Sequence, residues 1–173
     1  MNYDIEKLNE FFAEHPDDIS IADIDRGEGH KAGIVALQDV ITACVRMGVD
    51  VLSAYAFSTE NWNRPQAEVD LLMYLFAKTF VDELPLLKRE NVRVEFLGDI
   101  SALPKKTRDV FERGLAETRD HTGMTLALAV NYGGRAEITR AVRHIAEAVS
   151  TGDIAVEQID DALVADHLYT AGL

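Results

Sequence analysis

A dense group of polar and aromatic residues lies between residues 57 and 65, in the order Phe-Ser-Thr-Glu-Asn-Trp-Asn-Arg-Pro. It combines hydroxyl, amide, carboxylate, indole and guanidinium groups, which together can bind and orient an anionic ligand. Taken alone, Ser58 and Thr59 are equally well explained as caps of a following helix, and Trp62 is more simply explained by packing. The segment is the first candidate site, and a purely structural role in capping and packing stays open for these residues.

Two further clusters carry groups that suit a phosphate. Residues 26–33 read Arg-Gly-Glu-Gly-His-Lys-Ala-Gly and precede the first long helix, where free backbone N–H groups and nearby basic side chains make a candidate diphosphate cradle. Residues 131–135 read Asn-Tyr-Gly-Gly-Arg, and their paired glycines permit close approach of the backbone to a ligand. A Gly-Gly pair is more often a simple turn, so phosphate binding and a structural role both stay open for Asn131, Gly133, Gly134 and Arg135.

Hydrophobic periodicity predicts the elements that position these clusters. Helical spacing recurs over residues 32–47, 66–83, 104–118, 136–149 and 156–168, and Pro85 is expected to end or kink the second of these helices. Short apolar strands are predicted over 49–57, 92–96 and 124–130, the first of them buried on both faces. The alternation predicts an α/β fold with a mostly parallel central sheet and helices on both faces. Ligands bind beyond the carboxyl ends of such strands, where the polar clusters and Gly98–Ser101 fall.

The composition narrows the function further. The chain of 173 residues has 17 Lys and Arg against 30 Asp and Glu, and its net charge of −13 excludes a generally basic nucleic-acid binder. The single cysteine, Cys44, excludes an internal disulfide framework and a Cys-rich zinc site. The sequence has no apolar run of membrane-spanning length and no signal-peptide pattern, so a cytoplasmic protein is expected.

The segment Ala56–Pro65, followed by Glu68 and Val69, closely resembles the signature of the cis-prenyltransferases, the undecaprenyl diphosphate synthase family. Three more motifs agree with that family in order and spacing: residues 26–33, residues 131–135 and His167–Leu173. The resemblance covers residues 26–173 and implies a catalytic domain there, after an N-terminal helix and linker over residues 1–25.

The resemblance implies an isoprenyl transferase that condenses isopentenyl diphosphate repeatedly onto an allylic, farnesyl-type diphosphate to make a Z-polyprenyl diphosphate. It also implies magnesium, a homodimer and peripheral membrane association through the lipid product. By position, Asn61 is the residue implied in removing a proton from isopentenyl diphosphate; since an amide is a poor base, we expect it to orient a proton path through the leaving diphosphate. The implied substrate contacts are Arg26, Gly29, His30, Phe57, Ser58, Thr59, Glu60, Trp62 and Arg64. The helix from Glu68 to Phe80 is implied to wall an apolar tunnel through Leu72, Met73 and Phe76.

Two segments of the family pattern are expected to be missing. No Asp-Gly-Asn-Gly-Arg-Trp loop, which cradles the diphosphate and supplies a magnesium ligand in the family, precedes Arg26. A deletion between Asp25 and Arg26 is favoured over a degraded loop in which Asp23 or Asp25 is the acid. The chain also stops at Leu173, before the family's Arg-Ser-Gly-Glu and Arg-Leu-Ser-Asn region. The domain is therefore expected to be incomplete, with its metal ligands unknown, and the alternative function is a truncated, non-catalytic domain that binds a prenyl diphosphate or a partner subunit.

Overall fold

The computed structural model describes residues 37–173, and a first helix, α1, covers residues 37–47. The elements that follow are β1 (Val51–Ser58), α2 (Gln66–Arg89), β2 (Arg93–Leu97), α3 (Lys105–Thr118), β3 (Thr125–Tyr132), α4 (Gly134–Thr151) and α5 (Asp161–Asp166). Short 3₁₀ turns cover Thr59–Asn63, Ile100–Ala102 and Val156–Gln158. Ile41–Leu173 form one compact unit. The predicted division between residues 25 and 26 lies outside the described residues.

The three strands form a parallel sheet in the order β1-β3-β2. Each connection between successive strands contains a helix, α2 or α3, which a parallel arrangement requires because the chain must cross back to the same edge. The predicted α/β fold with a parallel sheet is therefore confirmed. All three strands end at the same edge, so the residues after Ser58, Leu97 and Tyr132 are neighbours there.

One face of the sheet is packed against α2 and α3 by aromatic rings. Phe96 of β2 stacks on Phe111 of α3 with ring centroids 4.5 Å apart, and Phe80 of α2 lies 5.6 Å from Phe96. Gly114 makes room for Phe80, since a Cβ atom on Gly114 would lie 2.1 Å from that ring. Tight burial of large apolar side chains holds both helices on this face.

The opposite face is lined by small side chains. Ala127 and Ala129 of β3 are buried there beside Leu97, and the rings of Tyr132 and Tyr169 pack against them. A cavity of about 460 Å³ opens on this face, lined partly by the C-terminal residues Thr170 and Leu173. Residues of the C-terminal turns therefore contact this second face.

Three details differ from the predicted elements. Of the two outcomes expected at Pro85, an end or a kink, the end is wrong: α2 continues to Arg89, because Leu84 and Leu87 are buried and their packing outweighs one missing backbone hydrogen bond. Strand β1 is not buried on both faces, since Tyr55 is 75% exposed. The helix expected over 156–168 is a 3₁₀ turn followed by the shorter α5, which begins where the Asp160 carboxylate accepts the Leu163 N–H. No helix among the described residues has the length and apolar character needed to cross a membrane.

Candidate active site at the carboxyl edge of the sheet

The segment after β1 is a 3₁₀ turn that begins at Ser58. The side-chain oxygen of Asn61 accepts two hydrogen bonds from Ser58, one from its backbone N–H at 2.8 Å and one from its hydroxyl at 3.2 Å. Because a backbone N–H can only donate, the Asn61 atom that faces it is the oxygen. The amide nitrogen of Asn61 therefore points away from Ser58 and can donate to a ligand.

Trp62 lies across the end of β1. Its ring meets the ring of Phe57 edge-on, with centroids 5.1 Å apart, and its indole N–H donates to the side-chain oxygen of Asn131 at 2.7 Å. Phe57 is almost fully buried and also contacts Phe76 of α2. Phe57 is thus part of the packed core beneath the site, whereas Trp62 is 36% exposed at its surface.

Asn131 joins all three strand ends. While its oxygen accepts from Trp62, its amide nitrogen donates to the backbone carbonyl of Asp99, which follows β2, at 2.8 Å. Asn131 has a left-handed backbone (φ +50°), which Asn tolerates better than most residues. The neighbouring Gly98 has φ +122°, and a Cβ atom there would lie 2.1 Å from the Val130 carbonyl oxygen. The turn after β2 and the last residues of β3 are therefore in close backbone contact.

The start of α4 contacts the turn after β1. A Cβ atom on Gly133 would lie 2.5 Å from the Thr59 hydroxyl, so these two segments touch without room for a side chain. Gly134 opens α4, and Arg135 lies exposed in its first turn. At the other end of the site, Arg64 forms an ion pair with Glu68 of α2.

The structure thus brings together the predicted candidates of two clusters, residues 57–65 and residues 131–135. Those at this edge are Phe57, Ser58, Thr59, Glu60, Asn61, Trp62, Arg64, Asn131, Gly133, Gly134 and Arg135. The cluster over residues 26–33, with Arg26, Gly29 and His30, lies outside the described residues.

A buried carboxylate beside this edge did not emerge from the sequence. Glu137 of α4 is 7% exposed; it accepts the hydroxyl of Tyr132 at 2.7 Å and the backbone N–H of Tyr169 at 2.6 Å. The bond to Glu137 raises the pKa of Tyr132 to about 12, since losing the phenol proton would place a second negative charge beside the carboxylate. Arg140 lies over the ring of Tyr169, 4.1 Å from its centroid, and donates to the His167 carbonyl.

These contacts attach the C-terminal turns to the end of β3. An acidic residue in the first turn of a helix is common for electrostatic reasons, so Glu137 carries no distinctive signal in the sequence. The only hint is that two tyrosines able to face it, Tyr132 and Tyr169, occur in two of the recognised motifs.

The described residues do not supply a magnesium site. Across residues 37–173, no three His, Cys, Asp or Glu side chains converge in a way that could hold a metal ion. The Asp99 carboxylate, at the sheet edge, instead accepts the backbone N–H of Ser101 and caps a 3₁₀ turn. Asp23 and Asp25, named from the sequence as acids, lie outside the described residues.

Comparison with known proteins gives a consistent result. Residues 21–173 match the family model described as putative undecaprenyl diphosphate synthase. The chain is 49% identical over 142 residues to an isoprenyl transferase of Streptococcus thermophilus, covering 82% of this chain and 57% of the relative. It is 45% identical over 149 residues to an isoprenyl transferase of Porphyromonas gingivalis, covering 86% of this chain and 59% of the relative. The chain thus spans somewhat more than half the length of these relatives.

Solved structures agree with this likeness. Lavandulyl diphosphate synthase from Lavandula x intermedia, crystallised with dimethylallyl diphosphate, aligns with a TM-score of 0.79 and 31% identity, over 84% of this chain and 64% of that one. A probable undecaprenyl diphosphate synthase from Campylobacter jejuni aligns with a TM-score of 0.69 and 28% identity, over 80% of this chain and 64% of that one. Both alignments cover most of the described residues.

Proposed function

The chain belongs to the undecaprenyl diphosphate synthase family, and we propose that the protein condenses isopentenyl diphosphate with an allylic, farnesyl-type diphosphate to make a Z-polyprenyl diphosphate. In each step the allylic C1–O bond breaks and C4 of isopentenyl diphosphate bonds to that carbon. A proton then leaves C2 of isopentenyl diphosphate, and the released diphosphate accepts it. Atoms and charge balance with no oxidant or reductant.

The observation that supports this proposal most strongly is the orientation of Asn61. Its oxygen is held by two bonds from Ser58, so its amide nitrogen is available as a donor toward a diphosphate oxygen. In this orientation Asn61 is not itself a base. We propose that it orients the diphosphate oxygen that takes the proton, so that binding and proton transfer use one group.

The departing diphosphate gains negative charge, which cations and N–H donors stabilise. We assign the cationic role to Arg64 and Arg135, which flank the edge. Glu68 orients Arg64 through their ion pair. The backbone N–H groups of the first turn of α4 are further donors, because the first groups of a helix have no intrahelical partner.

The growing hydrocarbon needs an apolar surface beside these donors. We propose that it runs along α2 past Phe76, which is only partly buried and contacts Phe57 beneath Trp62. Leu72 and Met73, the other predicted tunnel residues, are buried in the core. In that arrangement the diphosphate stays at the polar sheet edge while the chain extends over the apolar helix.

Several parts of the proposal are supported by the family alone. These are a requirement for magnesium, a homodimer, peripheral association with membranes through the product, and a cytoplasmic location.

A turnover assay with a separate binding assay tests the proposal. The purified chain is incubated with magnesium, farnesyl diphosphate and radiolabelled isopentenyl diphosphate, and label is expected in the lipid extract. Binding is followed by the change in Trp62 emission when an inert farnesyl thiodiphosphate is added. Binding without any product would favour a non-catalytic prenyl-diphosphate-binding domain, and absence of both would contradict the proposed function.

A further inference from the structure

The side chain of Asn131 meets two groups of opposite polarity. The indole N–H of Trp62 can only donate, and the carbonyl of Asp99 can only accept. An amide satisfies both, because it carries an acceptor and a donor on one planar group. A carboxylate would offer the Asp99 carbonyl a second acceptor, and a hydroxyl would be too short to span both partners.

The backbone at this position restricts the choice further. Asn131 has φ +50°, a conformation favourable only for glycine and, less so, for Asn and Asp. Glycine has no side chain and Asp has no donor. The polarity of the two partners and the backbone conformation therefore select the same residue.

Trp62 is held by two independent contacts. One edge of its ring packs against Phe57, and its N–H is bound by Asn131. The remaining 36% of the side chain is open to solvent at the sheet edge. The contact with Phe57 limits where the indole lies, while the hydrogen bond decides how it is rotated about that contact.

We propose that Asn131 is a positioning residue that fixes the rotation of Trp62 and the turn at Asp99 together, so that the exposed face of the indole is presented to the bound diphosphate substrate. The oxygen of the Asn131 amide and one of its two N–H groups are already used within the protein, which is what a positioning role requires. The role of Trp62 toward substrate rests on the proposed function, whereas the coupling of Asn131 to Trp62 does not.

The coupling is tested without substrate by NMR, because Trp62 is the only tryptophan and gives a single indole N–H signal. Asn131→Gly is expected to move that signal toward the position of free indole and to speed its exchange with water at least tenfold. The matched control is Asn91→Gly. Asn91 also has a left-handed backbone (φ +55°), precedes β2 at the other end of the sheet, and forms side-chain hydrogen bonds with Thr122. The control is expected to leave the signal unchanged.

An unmoved indole signal in Asn131→Gly would overturn the proposal. If that variant does not fold, the wild-type protein still provides the test: an indole N–H that exchanges as fast as that of free tryptophan would contradict the hydrogen bond.

Steady-state kinetics with farnesyl diphosphate test whether this positioning matters for substrate binding. Asn131→Gly is expected to raise the KM for farnesyl diphosphate about three- to tenfold, the typical worth of one hydrogen bond, with kcat within about twofold of wild type. In a Trp62→Phe background, which lacks the indole N–H, the same substitution is expected to change KM less than twofold. If Asn131→Gly still raised KM about three- to tenfold in the Trp62→Phe background, Asn131 would not act through Trp62, and the proposal would be overturned. If the NMR arm succeeds and no product forms with wild type, the coupling stands and the proposed function fails.

Discussion

The side-chain oxygen of Asn61 accepts both the backbone N–H and the hydroxyl of Ser58, at 2.8 and 3.2 Å. This pair closes the first turn after β1 and fixes which face of the amide is presented outward. A residue implied by its family to act in proton removal therefore presents a donor to the site. This orientation is the basis of our proposal that the diphosphate, and not Asn61, accepts the proton.

Asn61→Asp distinguishes the two functions of this side chain, accepting hydrogen bonds from Ser58 and donating one outward. The carboxylate still accepts both bonds from Ser58, so thermal stability is expected to change little. The outward donor is replaced by a negative oxygen that repels diphosphate, and kcat/KM is expected to fall about 100-fold, the scale of losing one hydrogen-bond donor to a developing anion. Steady-state kinetics and thermal unfolding measure both effects.

The matched variant is Ser58→Ala. It loses the hydroxyl donor and keeps the backbone N–H, so a fall of only about three- to tenfold is expected. Equal kcat/KM for wild type and Asn61→Asp would show that the outward donor has no part in the reaction.

Gly133→Ala tests the contact between α4 and the turn after β1. The new Cβ atom would lie 2.5 Å from the Thr59 hydroxyl, and we expect a loss of about 1–3 kcal/mol in the free energy of unfolding. Gly134→Ala is the control, since its Cβ atom would meet only the Tyr132 hydroxyl at 3.9 Å. Adding Thr59→Ala to Gly133→Ala is expected to restore part of the stability, as denaturant titration would measure; no recovery would contradict the contact.

Gly98→Ala tests the close approach of the turn after β2 to the last residues of β3. Its Cβ atom would lie 2.1 Å from the Val130 carbonyl oxygen, a backbone atom that cannot turn aside. Gly48 also has a positive φ, +71°, but nothing lies within 4 Å of a Cβ atom there. Gly48→Ala is expected to cost about 1–2 kcal/mol for the backbone conformation alone, and Gly98→Ala clearly more. Equal unfolding free energies for the two variants would argue against the close approach.

The raised pKa of Tyr132 predicts a stability change at high pH. A tyrosine whose folded pKa, about 12, lies above its unfolded value of 10 gives stability that is complete below pH 10 and is lost as pH rises through 12. Tyr132→Phe removes this contribution. The difference in stability between wild type and the variant is expected to be constant at pH 8–9 and to shrink from pH 10 upward. A difference that stays constant to pH 12 would contradict the Tyr132–Glu137 hydrogen bond.

Much of the fold could be predicted from the sequence because its signals are local. The apolar runs of β1, β2 and β3 and the amphipathic helices between them predict a parallel sheet, and the sheet edge then gathers the polar clusters. The end of α2 could not be predicted. The helix continues through Pro85 because neighbouring leucines are buried, and that burial depends on tertiary packing. The exposure of Tyr55 on β1 likewise depends on which elements cover that face.

In the candidate site, too, the residue types could be predicted from the sequence, but their tertiary contacts could not. Residue types identified Asn61, Trp62 and Asn131 as candidates, but not that Asn131 binds Trp62 across 69 positions of the chain. Glu137 was missed because a carboxylate in a first helical turn is usually exposed, and only the fold buries it between Tyr132 and Tyr169.

We propose that this sheet edge carries Z-selective elongation of an allylic diphosphate. The most direct measurement is the NMR structure of the product formed from farnesyl diphosphate and ¹³C-labelled isopentenyl diphosphate, for wild type and Asn61→Asp in parallel. We predict that wild type adds isopentenyl units with Z double bonds and that Asn61→Asp yields about 100-fold less of the same product. New E double bonds, or equal yields from the two proteins, would contradict the account.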